Sequence, residues 1–524
     1  MLRTSQKSDA KALPLAPRSP LPVREQVTAL RAYHTGCETL RAAGGPVTRV
    51  KLAPKWLLPE IVVVTSPQGI HDVLGLSPAV VERTRIHEEM RSLIGANLFD
   101  VTAEAWLPRR RLLQPLFTKK HVCAFGSHMA QAAESIASSW PADRDVDLDL
   151  ECRRVTLRAL GRSVMGLDLD KQADRIAEPL RIVLKYIADR GAAPVRLPSW
   201  LPTPARRRAR HASLALRDLA SEVLRGCRED PTRDAPLVRA LAEATDPATG
   251  SHLSDDEIRD ELIVFMGAGH DTTATTLAYA LWQLGRNPEL QERVWAEAAA
   301  VGDRALVPDD VPHLGYAMQV LHEALRLCPP AAVSGRLTTE DIEVDGYRVR
   351  AGTLMMIGVY AVQRDPALWA DAATFDPDRF RPDAAKSIDR WQYVPFGAGP
   401  RTCVGDHFAM LELALALATI VRGTEIRSTD SEFPMAVPFT LVAGGPIPAR
   451  VTRRPGCTTE NAAGSGVRPV SADNTVSPRP RATPMRAAST GASVRTSSGI
   501  AKSTSAALAM SRPWTASSNT RVGR

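Results

Sequence analysis

The chain has 524 residues, 44% hydrophobic, 24% charged and 5% aromatic, with 33 Gly and 40 Pro; these are globular proportions, and they exclude a fibrous or wholly unstructured protein. Seven cysteines, at positions 37, 123, 152, 227, 328, 403 and 457, are odd in number and scattered, which argues against a disulfide framework and for a reducing, cytoplasmic compartment. The net charge of +8 is concentrated at one end: after Arg454, nine Lys/Arg face only Glu460 and Asp473, leaving 57 basic and 56 acidic residues before them. A body so nearly neutral gives no electrostatic footprint for nucleic acid.

Residues 1–20 are polar and proline-punctuated and read as a disordered segment, with neither a signal peptide's apolar stretch nor the roughly 20 apolar residues of a membrane span. A β-rich piece follows at Val47–Thr65. In Trp106-Leu107-Pro108-Arg109-Arg110-Arg111, a tryptophan and an arginine four residues apart share one helix face. Asp147–Leu167 has apolar residues at helical spacing.

Ser254-Asp255-Asp256-Glu257 forms a capping box, opening a helix that runs to about Arg286 before Asn287-Pro288. Some thirty residues at 1.5 Å each span roughly 45–50 Å, enough to cross a whole domain. Its middle reads Ala268-Gly269-His270-Asp271-Thr272-Thr273. Small residues, a charge and hydroxyls inside an apolar helix are locally inconsistent, as functional sites often are. Ala268 and Gly269 permit close approach to a flat ligand, and the hydroxyls can bond back to the helix and help open its ladder. Taken alone, the segment reads equally well as a turn of helix facing solvent.

Glu323-Ala324-Leu325-Arg326 places an acid and a base on one face of a helix that Pro329-Pro330 ends. The spacing recurs at Glu38/Arg41 and Glu222/Arg225, so by itself it carries no weight. Asp341–Met356 reads as a hairpin turning at Asp345-Gly346. The segment Phe375-Asp376-Pro377-Asp378-Arg379-Phe380 then leads to the most informative stretch, Phe396-Gly397-Ala398-Gly399-Pro400-Arg401-Thr402-Cys403-Val404-Gly405, with an apolar helix directly behind it. A cysteine before a helix start meets free N–H groups and the positive end of the dipole, and both favour the metal-ligating thiolate. The glycines let the backbone approach a flat ligand, and Arg401 can bind an anionic group at that ligand's edge. After Arg454, 21 of 70 residues are Ser or Thr; such a tail cannot offset its ordering entropy by burial and reads as disordered over 455–524.

With Phe396, Gly399, Arg401, Cys403 and Gly405 in fixed register, the chain resembles the cytochrome P-450 superfamily, soluble bacterial type, over roughly residues 20–454. The resemblance implies a mainly α fold with small β-sheets (α+β), built as a single large haem-binding domain over 21–454 around a long central helix. It implies haem b held by the Cys403 thiolate, with Phe396, Gly399 and Gly405 shaping the loop against it. Trp106, Arg110 and Arg401, with Arg336, would anchor the propionates. Ala268 and Gly269 would lie close to the haem, and Asp271 and Thr272 would manage proton delivery to bound dioxygen. Arg379 would join Glu323 and Arg326 in a buried structural network. Gln363 stands where many members have a histidine near a propionate.

The implied activity is hydroxylation or epoxidation of an apolar small molecule (lipid, terpenoid, polyketide or steroid) by a monomeric, cytoplasmic enzyme. No Cys-x-x-Cys-His stands for covalent haem attachment. No flavin or nicotinamide fingerprint follows Cys403, so ferredoxin and ferredoxin reductase are the expected electron donors. Leu74–Phe99, Val195–Arg210 and Ala331–Ser334 are expected to line the substrate pocket. A haem-thiolate isomerase or dehydratase, and a haem carrier or sensor, are the competing readings; Asp271-Thr272 counts against both.

Overall fold

Helical spacing dominates the sequence, and helices dominate the fold. The computed structural model describes residues 10–454 apart from 55–57, 142, 167–172, 194–197 and 199. The expected tail at 455–524 and the first nine residues lie outside the described residues.

The organising element is the helix Asp255–Arg286, 32 residues long, of which 21 are buried. It is apolar on nearly every side, and such a helix is stable only inside the protein. Its start is fixed as the capping box predicts: the Glu257 amide donates to Ser254 Oγ at 3.3 Å, and the Ser254 amide donates to Glu257 Oε2 at 2.8 Å. The helices Leu148–Leu160, Pro204–Glu229, Gly315–Leu327 and Asp406–Gly423 pack around it. Most of the hydrophobic core belongs to one continuous cluster among them.

Among the described residues, four small sheets complete the architecture. The largest has the strand order Val47–Val50, Ile61–Val64, Leu354–Ile357, Ser334–Thr338, Val81–Glu82. Its edge pairing sets Val81 opposite Thr338 and Glu82 opposite Leu337, which matters for the site below. The hairpin Ile342–Val344/Tyr347–Val349 turns at Asp345 (φ 50°) and Gly346 (φ 78°), the left-handed pair that an Asp-Gly turn supplies.

Two expectations need correction. Residues 10–20 are not a free segment: Ala16 is buried, the Ser19 amide donates to the Arg49 carbonyl, and the Arg49 amide donates to the Pro17 carbonyl, both at 2.8 Å. The chain is therefore laid along the edge of the sheet before residue 21, satisfying backbone groups that its polar composition concealed. The helix expected at Asp147–Leu167 runs over Leu148–Leu160, then widens into a π turn at Gly161–Met165 that closes on left-handed Gly166 (φ 57°). Among the described residues, no helix is long and apolar enough to cross a membrane.

Candidate active site

The cysteine loop is shaped by its glycines. Gly397 (φ 69°) and Gly399 (φ 71°) adopt left-handed backbone, and the Cys403 amide donates back to the Phe396 carbonyl at 2.9 Å. A Cβ on Gly399 would fall 1.9 Å from the Leu74 carbonyl oxygen, so only glycine lets the loop pass the end of helix Pro67–Leu74. Helix Asp406–Gly423 starts directly after Gly405. Among the six described cysteines, Cys403 alone is exposed. Although its side chain reaches solvent, the protein packed around the sulfur pushes the thiol above its ordinary value, while the Gly405 amide and Arg110 pull it down. The helix-start effect is present, but it does not by itself produce a thiolate; a bound cation would have to complete the deprotonation.

Four of the expected anchors converge beside this loop. Arg110, buried on helix Ala103–Leu113, donates from Nη1 to the Thr402 carbonyl at 2.9 Å and from Nε to Gln114 Oε1 at 3.1 Å. The Arg401 guanidinium lies 5.2 Å over the Trp106 ring. Its Nη2 donates to the Val101 carbonyl at 3.3 Å, but Nε and Nη1 are buried without a partner. Arg336 is 6% exposed and, among the described residues, donates only to its own neighbours, Ser334 Oγ at 3.0 Å and the Gly335 carbonyl at 2.8 Å. Burial, reinforced by Arg401, pushes the Arg336 guanidinium down to about 10, and burial does the same to Arg401. Leu74, Leu76, Pro78 and Val81 wall this corner with Arg336 and Arg401.

On the central helix, Ala268 is exposed although the helix around it is largely buried. One turn on, Thr272 donates from Oγ1 to the Ala268 carbonyl at 2.6 Å. The back-bonding expected of the hydroxyls is there, yet the helix stays continuous. Asp271 pairs with Arg153 Nη1 at 2.5 Å, and Arg153 Nε also reaches Asp149 Oδ2 at 2.8 Å. Arg153 carried no sequence signal, because it approaches from another helix. A Cβ on Gly269 would lie 3.0 Å from Leu160 Cδ1, so that position admits the neighbouring helix. His270 is buried, with Nδ1 3.1 Å from Thr156 Oγ1, and burial holds its imidazole down to about 4. Among the described residues, no hydrogen bond or ion pair joins 268–272 to the cysteine loop.

The third expected group is assembled. Arg326 donates from Nε and Nη2 to the two Glu323 oxygens at 2.7 Å each, with both side chains fully buried. Its remaining hydrogens go to the carbonyls of Gln363, Ala372 and Thr374 at 2.8–3.1 Å. Arg379 Nε stands 3.4 Å from Glu323 Oε1, a looser ion pair. Gln363 is fully committed: Nε2 donates to the Leu325 and Arg326 carbonyls at 2.9 and 3.1 Å, and Oε1 accepts from the Val394 amide at 3.0 Å. It ties the network to the chain leading into the cysteine loop.

These residues fit a haem. An accessible cysteine sulfur in a glycine loop suits iron, and the unpartnered Arg401 nitrogens suit a carboxylate at the porphyrin edge. The comparisons agree. Residues 16–450 match the protein family described as Cytochrome P-450. The chain is 32% identical over 408 residues to cyclooctat-9-en-7-ol 5-monooxygenase of Streptomyces melanosporofaciens, covering 78% of this chain and 88% of the relative. It is 30% identical over 382 residues to pentalenene oxygenase of Streptomyces avermitilis, covering 72% and 84% respectively. In fold it is similar to the crystal structure of the cytochrome P-450DA haem domain, with a TM-score of 0.75 at 24% identity, covering 84% of this chain and 98% of that one. From the match over most of its length, the chain belongs to the cytochrome P-450 family and is an oxidoreductase of the monooxygenase kind.

Proposed function

We propose that the protein binds haem b noncovalently through the Cys403 thiolate and oxygenates a cyclic terpenoid. The observation that carries this reading is Cys403 itself, exposed in a loop whose backbone is tied to Arg110 and whose Arg401 keeps two buried nitrogens unpaired. The names of the relatives, a cyclooctatenol monooxygenase and a pentalenene oxygenase, favour a terpenoid over the lipid, polyketide or steroid alternatives. The haem would supply activation of dioxygen, with one oxygen atom going to the substrate and the other leaving as water.

The chain's own residues would do the rest. Arg401, Arg110 and Arg336, with Trp106 beneath Arg401, would orient the cofactor by its carboxylates. Phe396, Gly399 and Gly405 would hold the loop at the distance that the ligand bond requires. Thr272 would turn its hydroxyl from the Ala268 carbonyl to a bound water, and Asp271, tethered by Arg153, would pass it protons from the solvent side. Ala268, exposed on the central helix, would keep the helix clear of the ring, while Gly269 makes room for Leu160 of the neighbouring helix. The Glu323–Arg326–Arg379 network would brace the cofactor's other side through Gln363.

Electrons would come from a ferredoxin and its reductase. Lys119 and Lys120 are exposed on a short helix packed against Asp406–Gly423, where an acidic carrier would meet positive charge near the cysteine. The enzyme would act as a cytoplasmic monomer. Turnover of a cyclic terpene alcohol with surrogate ferredoxin under 18O-labelled dioxygen tests this. One labelled oxygen per product molecule is expected; an isomerised, unlabelled product would instead identify an isomerase.

A further inference from the structure

Two successive acids on the central helix grip the loop that follows helix Arg85–Ile94. Gly95 (φ 100°) turns the chain so closely over Asp260 that a Cβ there would fall 1.9 Å from Oδ2, and the Ala96 amide bonds to that carboxylate. Glu261 Oε1 accepts from the Leu98 amide at 2.8 Å. Asp100 ties the loop to itself, its Oδ1 accepting from the Asn97 amide at 3.1 Å. Asp100 and Glu261 both stand at 0% exposure.

The cations around these acids do not fully neutralise them. Arg109 is divided between Glu257 Oε1 at 2.7 Å and Glu261 Oε1 at 3.4 Å, and Arg217 Nη2 lies 3.2 Å from Asp260 Oδ1. Arg91 is 3.8 Å from Asp100 Oδ1 and gives Nη2 to the Asp100 carbonyl, while Arg83 attracts Asp100 from the sheet edge. Asp100 Oδ2 and Glu261 Oε2 are left buried without a hydrogen-bond partner. Such an oxygen is costly on an anion and far less so on a neutral acid. Burial, which outweighs the nearby arginines, and repulsion from Asp260 raise Asp100 to about 7 and Glu261 to about 8.

Glu261, Ala268 and Thr272 are spaced to share one stripe of the helix. Through Glu261 the loop lies on the same helix face that carries Ala268 and Thr272, about 10 Å along the axis from Ala268. Leu74–Phe99, expected to line the substrate pocket, ends within this loop.

We infer that Glu261 and Asp100 form a proton-controlled latch: protonated, they hold loop 95–101 closed on the central helix, and ionised, they repel each other and Asp260 and let the loop lift from the substrate side. Its role in substrate entry rests on the haem reading above; the latch itself does not. In the lifted loop both acids meet water and return toward carboxylate values of about 4, so closing takes up protons. Closure is therefore strongest in acid. It weakens by up to about tenfold per pH unit for each proton taken up, and stops weakening above about pH 8.

Hydrogen exchange of the Leu98 amide in the holoenzyme, corrected for the intrinsic pH dependence of exchange, tests the latch. From pH 6 to 8 its protection should fall at least about tenfold, while amides of the buried turn Leu277–Leu281 keep theirs. Glu261→Gln retains an acceptor for the Leu98 amide but cannot ionise, and its protection should change less than about twofold. Asp100→Asn leaves the central helix untouched and should lose the lower-pH part of the slope, which keeps the test available where Glu261→Gln does not fold. The exposed Glu104→Gln should follow wild type. Entry of metyrapone, a neutral apolar pyridine followed through the haem spectrum by stopped flow, should quicken several-fold over the same range in wild type and stay constant in Glu261→Gln. Wild-type protection at Leu98 that is flat with pH would overturn the latch. So would a fall unchanged in both variants, or one shared equally by residues 277–281. Entry independent of pH, with exchange behaving as expected, would overturn the role in substrate access. A haem spectrum that metyrapone never moves would overturn the haem reading, and the access role with it.

Discussion

Arg110 donates from Nη1 to the carbonyl oxygen of Thr402 at 2.9 Å, one residue before the cysteine, so a single buried side chain links helix Ala103–Leu113 to the backbone that presents the sulfur. A hydrogen bond from a charged donor contributes about 1.5–3 kcal/mol. Arg110→Ala is therefore expected to destabilise the fold by about that amount in urea unfolding, and to release haem faster. Arg110→Lys should retain the charge but lose the second bond to Gln114, giving an intermediate result.

The Glu323–Arg326 pair lies at 0% exposure on both sides. Glu323→Gln keeps the shape but leaves Arg326 without its charge partner, a change that costs about 3–5 kcal/mol. Denaturant midpoints should show it. Arg379→Ala, removing a contact at 3.4 Å from a side chain that is partly exposed, should cost less than half as much. Equal losses would mean that Arg379 matters more than its geometry indicates.

Much of this was legible in the sequence, for a physical reason. The capping box, the Asp-Gly turn and the cysteine loop are determined within a few residues, and each appears where its local pattern places it. Arg153 was not legible, because it reaches Asp271 from a separate helix, and no spacing encodes that. Residues 10–20 misled through their composition: a polar, proline-rich stretch can still be held by main-chain bonds to a sheet edge. Gly269 was read by its smallness, but its nearest neighbour beyond its own helix is Leu160.

Thr272 bonds within its own helix, to the Ala268 carbonyl. Thr272→Ala should leave stability within about 1 kcal/mol, since alanine's helix propensity offsets the lost bond. Catalysis should respond far more. Product per dioxygen consumed is expected to fall several-fold, with hydrogen peroxide rising in proportion, as measured by a peroxidase-coupled assay beside product analysis.

Burial lowers the His270 imidazole from 6.5 to about 4 on folding. Between those values the unfolded chain binds a proton that the folded chain does not, so this residue's contribution is complete above pH 6.5 and is lost as pH falls toward 4. The loss amounts to roughly 3 kcal/mol. His270→Asn lacks this term, so the stability difference between wild type and variant should narrow or invert over that window and stay constant from pH 7 to 8. A difference that is flat from pH 7 to 4 would show that the imidazole titrates normally.

The bond between Cys403 and haem iron is tested most directly by the absorption spectrum of the dithionite-reduced, carbon monoxide-saturated protein. The wild-type chain is expected to show the red-displaced Soret band of thiolate coordination, and Cys403→His should bind haem but lose that displacement. A wild-type spectrum at the position typical of histidine-ligated haem, or a displaced band that survives the substitution, would contradict the assignment.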